Sequence, residues 1–367
     1  MKKVLIALGS TGGHIFPGIS ILNHLESIDN KIEVKLVNSI DSKVLIPNLT
    51  KRNEIYKIKS TGFVGKSFIN KIKSLVFFIF SIIQSLKIIF QFKPEIIIGT
   101  GGFVSLPIAL AGYVFNKKIY IAEGNSVPGL SNRIISKFCD KIFINFEESE
   151  KYFKKNMCVK TGFPIRKLTF NIGIKKDIDI FILGGSQGSA VLNEKVTKTI
   201  YQFLKRTNKK RNQEIIRIVH QCGSKNNAEI KAYYKKLKKE FGFLEYEVYE
   251  FIENIDNFYQ RTKILISRAG ASTIAESLFY QIPTIYFPIT SSSGNHQYLN
   301  AKEMVSKNFG LMCPEDITPE LFSESIFKLL YNKEINQSIS GSLKNNAINL
   351  KEDSASKIIK GILNDKK

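Results

Sequence analysis

Two α/β domains, each built on a parallel sheet, are what this 367-residue sequence predicts. Three observations carry the prediction. An apolar run, Val4-Leu5-Ile6-Ala7-Leu8, enters a glycine-rich loop, GSTGGHIFPG (9–18), and a helical pattern follows with Ile19, Leu22 and Leu25 three apart. The same plan returns at Phe181-Ile182-Leu183, the loop GGSQGS (184–189) and a helical stretch over 190–201. Around these openings, short apolar runs alternate with helical patterns, the order expected of parallel sheets.

Taken in order, residues 33–37 and 54–58 read as the second and third strands. Residues 68–92 form a long, strongly apolar helical stretch that Pro94 ends. A buried strand at 95–98 runs into Gly99-Thr100-Gly101-Gly102, followed by a helix over 105–115, a strand over 119–122, a helix over 129–138 and a strand over 141–145. Residues 159–166, with Gly162 and Pro164, close the first domain, so the expected division is 1–165 and 166–346. The second domain opens with the strand 179–183. It continues with strands at 214–220, 246–251, 263–267 and 283–287 and helices at 228–241, 272–279, 297–306 and 319–331. Apolar residues at 347, 348, 350, 355, 358, 359, 362 and 363 predict one amphipathic face over 347–363 that docks on something.

Composition narrows the function classes. The formal charge of +22 favours an anionic partner: nucleic acid, a phosphate-bearing ligand or acidic lipid headgroups. Abundant Lys, Asn and Ile with no Trp also fit an AT-rich coding sequence. Cys139, Cys158, Cys222 and Cys313 form no C-x-x-C pair, as expected of reduced cytosolic thiols without a zinc site. Residues 4–8 enter a strand directly, so no signal peptide is expected, and no uninterrupted apolar run reaches the ~18 residues that span a bilayer.

Glycines at 9, 12 and 13 let the backbone approach a ligand closely, and the next helix points free N–H groups and its positive dipole end at the loop. His14 sits inside that turn, unusual for a core histidine. The loop is not G-x-G-x-x-G, and the second strand ends at Asn38 where a dinucleotide site wants an acid. KSTGFVGKS (59–67) imitates a P-loop but has Ser60 in place of the required glycine. Asp177-Ile178-Asp179 imitates a metal-binding D-x-D, yet lies at a strand's start, away from the ligand end of such sheets. In ISRAGASTIAE (266–276), Ser272 is placed to cap a helix whose N-terminus suits a phosphate, with Glu276 about a turn inside it. A carboxylate there either accepts from a ribose diol or simply stabilises the helix start. Asn295-His296-Gln297 follows a loop after a strand's carboxyl end, with side chains that suit sugar hydroxyls or a surface turn.

Together these motifs resemble the MurG family, the undecaprenyl-diphospho-muramoylpentapeptide N-acetylglucosaminyltransferases. The ordered match comprises GSTGGHIFPG (9–18), GTGGFVSLP (99–107), GNSVPGLSNR (124–133), TGFPIRK (161–167), GGSQGS (184–189), HQCGS (220–224), FIENI (251–255), SRAGASTIAE (267–276) and NHQYLNA (295–301). The resemblance implies a GT-B fold, two Rossmann-like parallel-sheet domains facing across a cleft, with the tail 347–367 packing back on the first domain. It implies inverting transfer of N-acetylglucosamine from UDP-GlcNAc to the muramoyl 4-hydroxyl of lipid I, without cofactor or metal. His14 occupies the general-base position. Thr11, Gly12, Gly13, Asn125 and Arg166 match contacts from the first domain. Ser186, the backbone at Ile252, Ala271, Ser272, Thr273, Ile274, Ala275 and Glu276, and His296 with Gln297 match donor-binding positions of the second. The family often reads His-Glu-Gln-Asn where this chain has Ala122-Glu123-Gly124-Asn125, leaving the Gly124 backbone to replace a side chain. The chemistry is consistent: a neutral imidazole can take the proton of a sugar hydroxyl, and helix N-termini can stabilise a diphosphate leaving group.

The acceptor hangs from a polyprenyl diphosphate, so the resemblance implies peripheral binding at the cytoplasmic face of the inner membrane, with cell-wall and division proteins as partners. Leu75, Val76, Phe77, Phe78, Ile79 and Phe80, flanked by Lys71, Lys73 and Lys87, are the expected lipid contact, with a polar seam through Ser74, Ser81, Gln84 and Gln91. The alternatives are a GT-B transferase acting on another lipid acceptor and, in a different class, a basic nucleic-acid-binding protein. For the latter, 205–211 and 231–239 supply charge, but no recognised module appears, so no nucleic-acid partner is expected.

Overall fold

A computed structural model describes residues 2–9, 11–29, 31–40, 42, 55–60, 68–165, 171, 173–185, 188–210, 214–349 and 353–365. The chain divides into two compact units, Met1–Lys167 with Glu352–Lys367, and Leu168–Lys351.

The first unit runs β1 (Lys3–Ala7), α1 (Gly12–Ile28), β2 (Glu33–Ser39), β3 (Ile55–Ile58), α2 (Phe68–Phe92), β4 (Ile96–Gly99), α3 (Gly102–Val114), β5 (Lys118–Glu123), α4 (Leu130–Ile135), β6 (Lys141–Ile144) and β7 (Cys158–Lys160). The strands form a parallel sheet in the order β3-β2-β1-β4-β5-β6-β7. Successive residues of a strand face opposite sides, and both sides are covered, which is why the strands read as continuous apolar runs. Leu5, Ile97, Ile119 and Ile142 pack with Ile88, Ile89 and Phe92 of α2 and Val104 and Ile108 of α3. Val4, Ile6, Ile98 and Phe143 pack on the other side with Ile15, Ile21 and Leu22 of α1.

The second unit runs β8 (Ile178–Leu183), α5 (Ala190–Lys210), β9 (Ile216–Gln221), α6 (Asn227–Glu240), β10 (Leu244–Tyr249), α7 (Ile255–Arg261), β11 (Thr262–Ser267), α8 (Ala271–Phe279), β12 (Thr284–Tyr286), α9 (His296–Ser306), β13 (Gly310–Met312), α10 (Pro319–Tyr331) and α11 (Lys333–Asn349). Its sheet is parallel in the order β10-β9-β8-β11-β12-β13.

The expected single face over 347–363 is divided between two helices. Residues 347–349 end α11, and a separate α12 spans Ser354–Leu363. Ala355, Ile358, Ile359 and Ile362 join the α1 side of the first unit's core. The Tyr120 hydroxyl donates to Asp365 at 2.9 Å, and the Lys141 ammonium lies 2.7 Å from the same carboxylate, pinning the end of the tail.

Of the polar seam of α2, Ser74 and Ser81 are buried, as is Ser85 one turn further on. Their small size allows close packing, and their hydroxyls need no water. Ser81 donates to the Phe77 carbonyl at 2.8 Å and Ser85 to the Ser81 carbonyl at 2.6 Å. The outward face is the apolar one, with Leu75, Val76, Ile79, Phe80, Ile83 and Phe90 exposed, while Phe77 and Phe78 are half-buried. Ser74–Phe92, 19 residues, is long and apolar enough on average to cross a membrane, because scattered serines and glutamines interrupt the run without lowering its mean much. Yet Ile88, Ile89 and Phe92 sit in the sheet's core, so the helix is built into the domain.

Candidate active site

In each unit the strand order reverses beside the first strand, between β1 and β4 and between β8 and β11. Ligands of open α/β sheets bind outside the carboxyl ends of the strands at such points. The glycine-rich loops lie there.

His14 is the third residue of α1, not part of a longer loop, because the helix begins at Gly12 with Thr11 as its N-cap. The Thr11 carbonyl accepts from the N–H groups of both His14 and Ile15, at 2.9 and 3.0 Å, which starts the helix early. His14 Nδ1 lies 2.8 Å from the Thr100 carbonyl oxygen. A carbonyl only accepts, so Nδ1 carries the proton and the basic lone pair is at Nε2. In return the Thr100 hydroxyl donates to the His14 carbonyl at 2.7 Å. Gly101 has φ +100°, and a Cβ there would lie 2.8 Å from His14 Nδ1, so only glycine lets the loop after β4 pass the ring.

Glu123, at the end of β5, is buried, and burial pushes its carboxyl above the ordinary value despite the hydrogen bonds it accepts. It takes the Asn125 N–H at 2.8 Å and the Asn132 side-chain amide at 2.8 Å, so Asn125 is held by its neighbour's carboxylate. Gly124 stands against Phe163: a Cβ would meet that ring at 2.3 Å. Its carbonyl accepts from the Asn145 amide at 3.2 Å. Phe163 thus leaves no room for a side chain at Gly124, one of the two positions that depart from the family's motif, and the Gly124 carbonyl is used internally.

In the second unit, α8 begins at Ala271 with Gly270 as its N-cap and no side chain capping it. Ser272 is therefore not the cap; it lies inside the first turn with Thr273, because the helix starts at Ala271, one residue before the expected 272. The leading N–H groups have no partner within the helix, an anion-binding arrangement. Ile274, Ala275 and Glu276 continue it. Glu276 is the sixth residue, beyond the turn where an acid best serves the helix dipole. One of its oxygens accepts from the buried Tyr259 hydroxyl at 2.8 Å, which orients the carboxylate. His296 and Gln297 open α9, and Gln297 Oε1 accepts from the Ile289 N–H at 3.1 Å, bracing the preceding loop. β10 ends at Tyr249, two residues before the expected end, so Ile252 lies in the following loop. Ser186 and Arg166 lie outside the described residues, as does most of 59–67.

Residues that carried no role in the sequence reading join these loops. Arg268, nearly buried, donates through Nε to Ser189 Oγ at 2.9 Å and through Nη1 to the Phe287 carbonyl at 3.1 Å and Glu315 at 2.8 Å. Burial lowers the Arg268 pKa. Burial raises that of Glu315, but hydrogen bonds from Thr290 and Arg268 outweigh this and hold it below the ordinary carboxylate value. His220 is fully buried, pushed down to about 3 by burial, and therefore neutral at pH 7. Its Nε2 lies 3.1 Å from Asn193 Oδ1, and the Asn193 amide donates to the Cys222 carbonyl at 2.8 Å. Only the motifs HQCGS and SRAGASTIAE could have drawn attention to His220 and Arg268; Glu315 left no signal. The D-x-D carboxylates are committed to cations of their own unit. Arg261 takes Asp177 through two bonds of 2.8 Å, and Lys263 lies 2.7 Å from Asp179.

Two parallel-sheet units with glycine-rich loops and open helix N-termini at their switch points define the class, the GT-B fold, and the family matches make it a glycosyltransferase. Residues 4–144 match the glycosyltransferase family 28 N-terminal domain and residues 179–359 the family 28 C-terminal domain. The crystal structure of Acinetobacter baumannii MurG superposes with a TM-score of 0.73 at 20% identity, covering 99% of each chain. A Trichlorobacter lovleyi protein named UDP-N-acetylglucosamine–N-acetylmuramyl-(pentapeptide) pyrophosphoryl-undecaprenol N-acetylglucosamine transferase is 30% identical over 90% of this chain and 91% of its own. A Bdellovibrio bacteriovorus protein of the same name is 32% identical over 94% of each. This chain belongs to that family, the MurG transferases of glycosyltransferase family 28.

Proposed function

We propose that the protein moves N-acetylglucosamine from UDP-GlcNAc to the muramoyl 4-hydroxyl of lipid I, releasing UDP and giving lipid II with inversion at the anomeric carbon. The observation that carries the reading is His14, its proton held on Nδ1 by the Thr100 carbonyl and its ring beside a glycine-rich loop. In this reading Nε2 takes the acceptor hydroxyl's proton as the new C–O bond forms and the bond to the diphosphate breaks. The leaving diphosphate is stabilised by the N–H groups and positive dipole end of α8, in the unit that holds the donor. The second unit holds the donor: Ser186 and the Ala271–Ala275 turn at the phosphates, Ile252 at the base, Glu276 at the ribose, and His296 and Gln297 at the sugar. Thr11, Gly12, Gly13, Asn125 and Arg166 are the ligand-binding residues this reading assigns to the first unit. The test is radiolabelled sugar transfer from UDP-GlcNAc to a short-chain lipid I analogue. Label passing instead to a glyceride, and not to lipid I, would make this a transferase of another lipid.

The same reading puts the protein on the cytoplasmic face of the plasma membrane, among the proteins of wall synthesis, cell shape and division. The outward face of α2 supports a surface contact: Leu75, Val76, Ile79, Phe80 and Ile83 are exposed, with Lys87 on the same helix and the Lys59 ammonium 4.3 Å from the Phe77 ring centre. Tyr113 and Val114, also exposed, end α3, against which α2 packs. Each basic residue near an anionic surface adds roughly 1 kcal/mol. The protein is expected to sediment with anionic vesicles at low salt and less at high salt. Phe80→Asp with Ile83→Asp should release it while sparing transfer to a soluble acceptor analogue. Wild-type protein remaining in the supernatant at every salt concentration would end this reading.

A further inference from the structure

The order β10-β9-β8 places the ends of three strands side by side, with β9 in the middle. Gln221 is the last residue of β9, and it is 2% exposed. Its Nε2 donates to the Gly185 carbonyl, 3.0 Å away, in the glycine-rich loop after β8. Its Oε1 accepts from the Ile252 N–H, 2.9 Å away, in the loop after β10. One buried amide therefore ties together two loops that leave neighbouring strands on either side of it. The bridge needs a donor and an acceptor on one short planar group, which is what a carboxamide offers. The base of the bridge is itself fixed. The Cys222 N–H donates to the Tyr249 carbonyl at 2.9 Å, and neutral His220 is held between Asn193 and Tyr234.

We propose that Gln221 is a positioning residue for the nucleotide of the donor. It sets the spacing between the glycine-rich loop, which faces the diphosphate, and the Ile252 backbone, which faces the base. It touches neither itself. This rests on the donor site of the proposed function.

The test uses the full chain, with UDP titrated calorimetrically and UDP-GlcNAc kinetics measured beside it. Gln221→Met keeps the side chain's length and removes both bonds. It should raise the UDP Kd and the UDP-GlcNAc KM about three- to tenfold, with kcat at saturating donor unchanged. Gln221→Glu keeps the acceptor for Ile252 but, when ionised, turns an oxygen on the Gly185 carbonyl. Protonating this buried carboxyl restores an O–H donor. The ratio of its UDP Kd to that of the wild type should therefore fall between about pH 8 and about pH 6. A merely structural glutamine would lower the melting temperature and leave both the Kd of the folded protein and that ratio unmoved. An unchanged Kd and KM in Gln221→Met overturns the proposal, and if that variant does not fold, a flat pH ratio for Gln221→Glu overturns it. Glu276→Ala run in parallel separates the two levels. If it weakens UDP binding while Gln221→Met does not, only the role of Gln221 falls. A wild-type protein that does not bind UDP overturns both.

Discussion

Replacing His14 with alanine is expected to lower kcat by about 10²–10⁴ while UDP binding is retained, the usual size of a general-base contribution. The expectation follows from the tautomer. The Thr100 carbonyl, 2.8 Å from Nδ1, fixes the proton there and leaves Nε2 as the basic position. The imidazole is also held in place: the Thr100 hydroxyl grips the backbone of the same residue, and Gly101 lies directly against the ring. Little reorganisation remains for the reacting step, and that is where a base contributes most to rate. The substitution leaves Thr11 as N-cap and the start of α1 intact, so the fold should survive, which thermal melting checks. The measurement is kcat at saturating donor and acceptor across pH. A drop of less than tenfold would make His14 a positioning residue and send the search for a base elsewhere.

Much of this architecture was legible because parallel strands covered on both faces must be apolar at every position. Leu5-Ile6, Ile97-Ile98 and Phe181-Ile182 announce themselves. The edge strands β7 and β13, three residues each, are too short to show any period. α11 is polar through most of its length and gave no apolar stripe to read. The burial of the α2 serines was not legible, for a physical reason. Hydropathy treats serine as outward-facing, but a serine whose hydroxyl returns to its own helix's carbonyls is content inside, and its small volume lets the helix approach its neighbour. The site divides along the same line. Glycine-rich loops and the start of α8 are local features that a sequence displays. Gln221 acts through Ile252 and Gly185, 31 and 36 residues away, and Arg268 through Glu315 and Ser189, 47 and 79 residues away. Strand order alone brings them together.

Glu276→Ala is expected to raise the KM for UDP-GlcNAc about 10- to 150-fold, the loss of a hydrogen bond to a charged acceptor at about 1.5–3 kcal/mol. Two roles compete for this carboxylate, and the geometry separates them. As a helix-dipole acid it would belong in the first turn, yet it is the sixth residue of α8. As a partner of Tyr259 it accepts the buried phenol at 2.8 Å, and alanine would remove that hydrogen bond. Some of the effect of Glu276→Ala could therefore be lost stability and not lost recognition. Glu276→Gln resolves the ambiguity. The amide oxygen can still accept from Tyr259, so the melting temperature should stay near that of the wild type, while the charge offered to the ribose is gone. A raised donor KM in Glu276→Gln without a fall in melting temperature assigns the carboxylate to the ribose. Tyr259→Phe should move the donor KM in the same direction by less, since it only frees the carboxylate to turn. If Glu276→Gln has a wild-type KM and Glu276→Ala merely melts earlier, the carboxylate serves Tyr259 alone, and the ribose must be held by another residue.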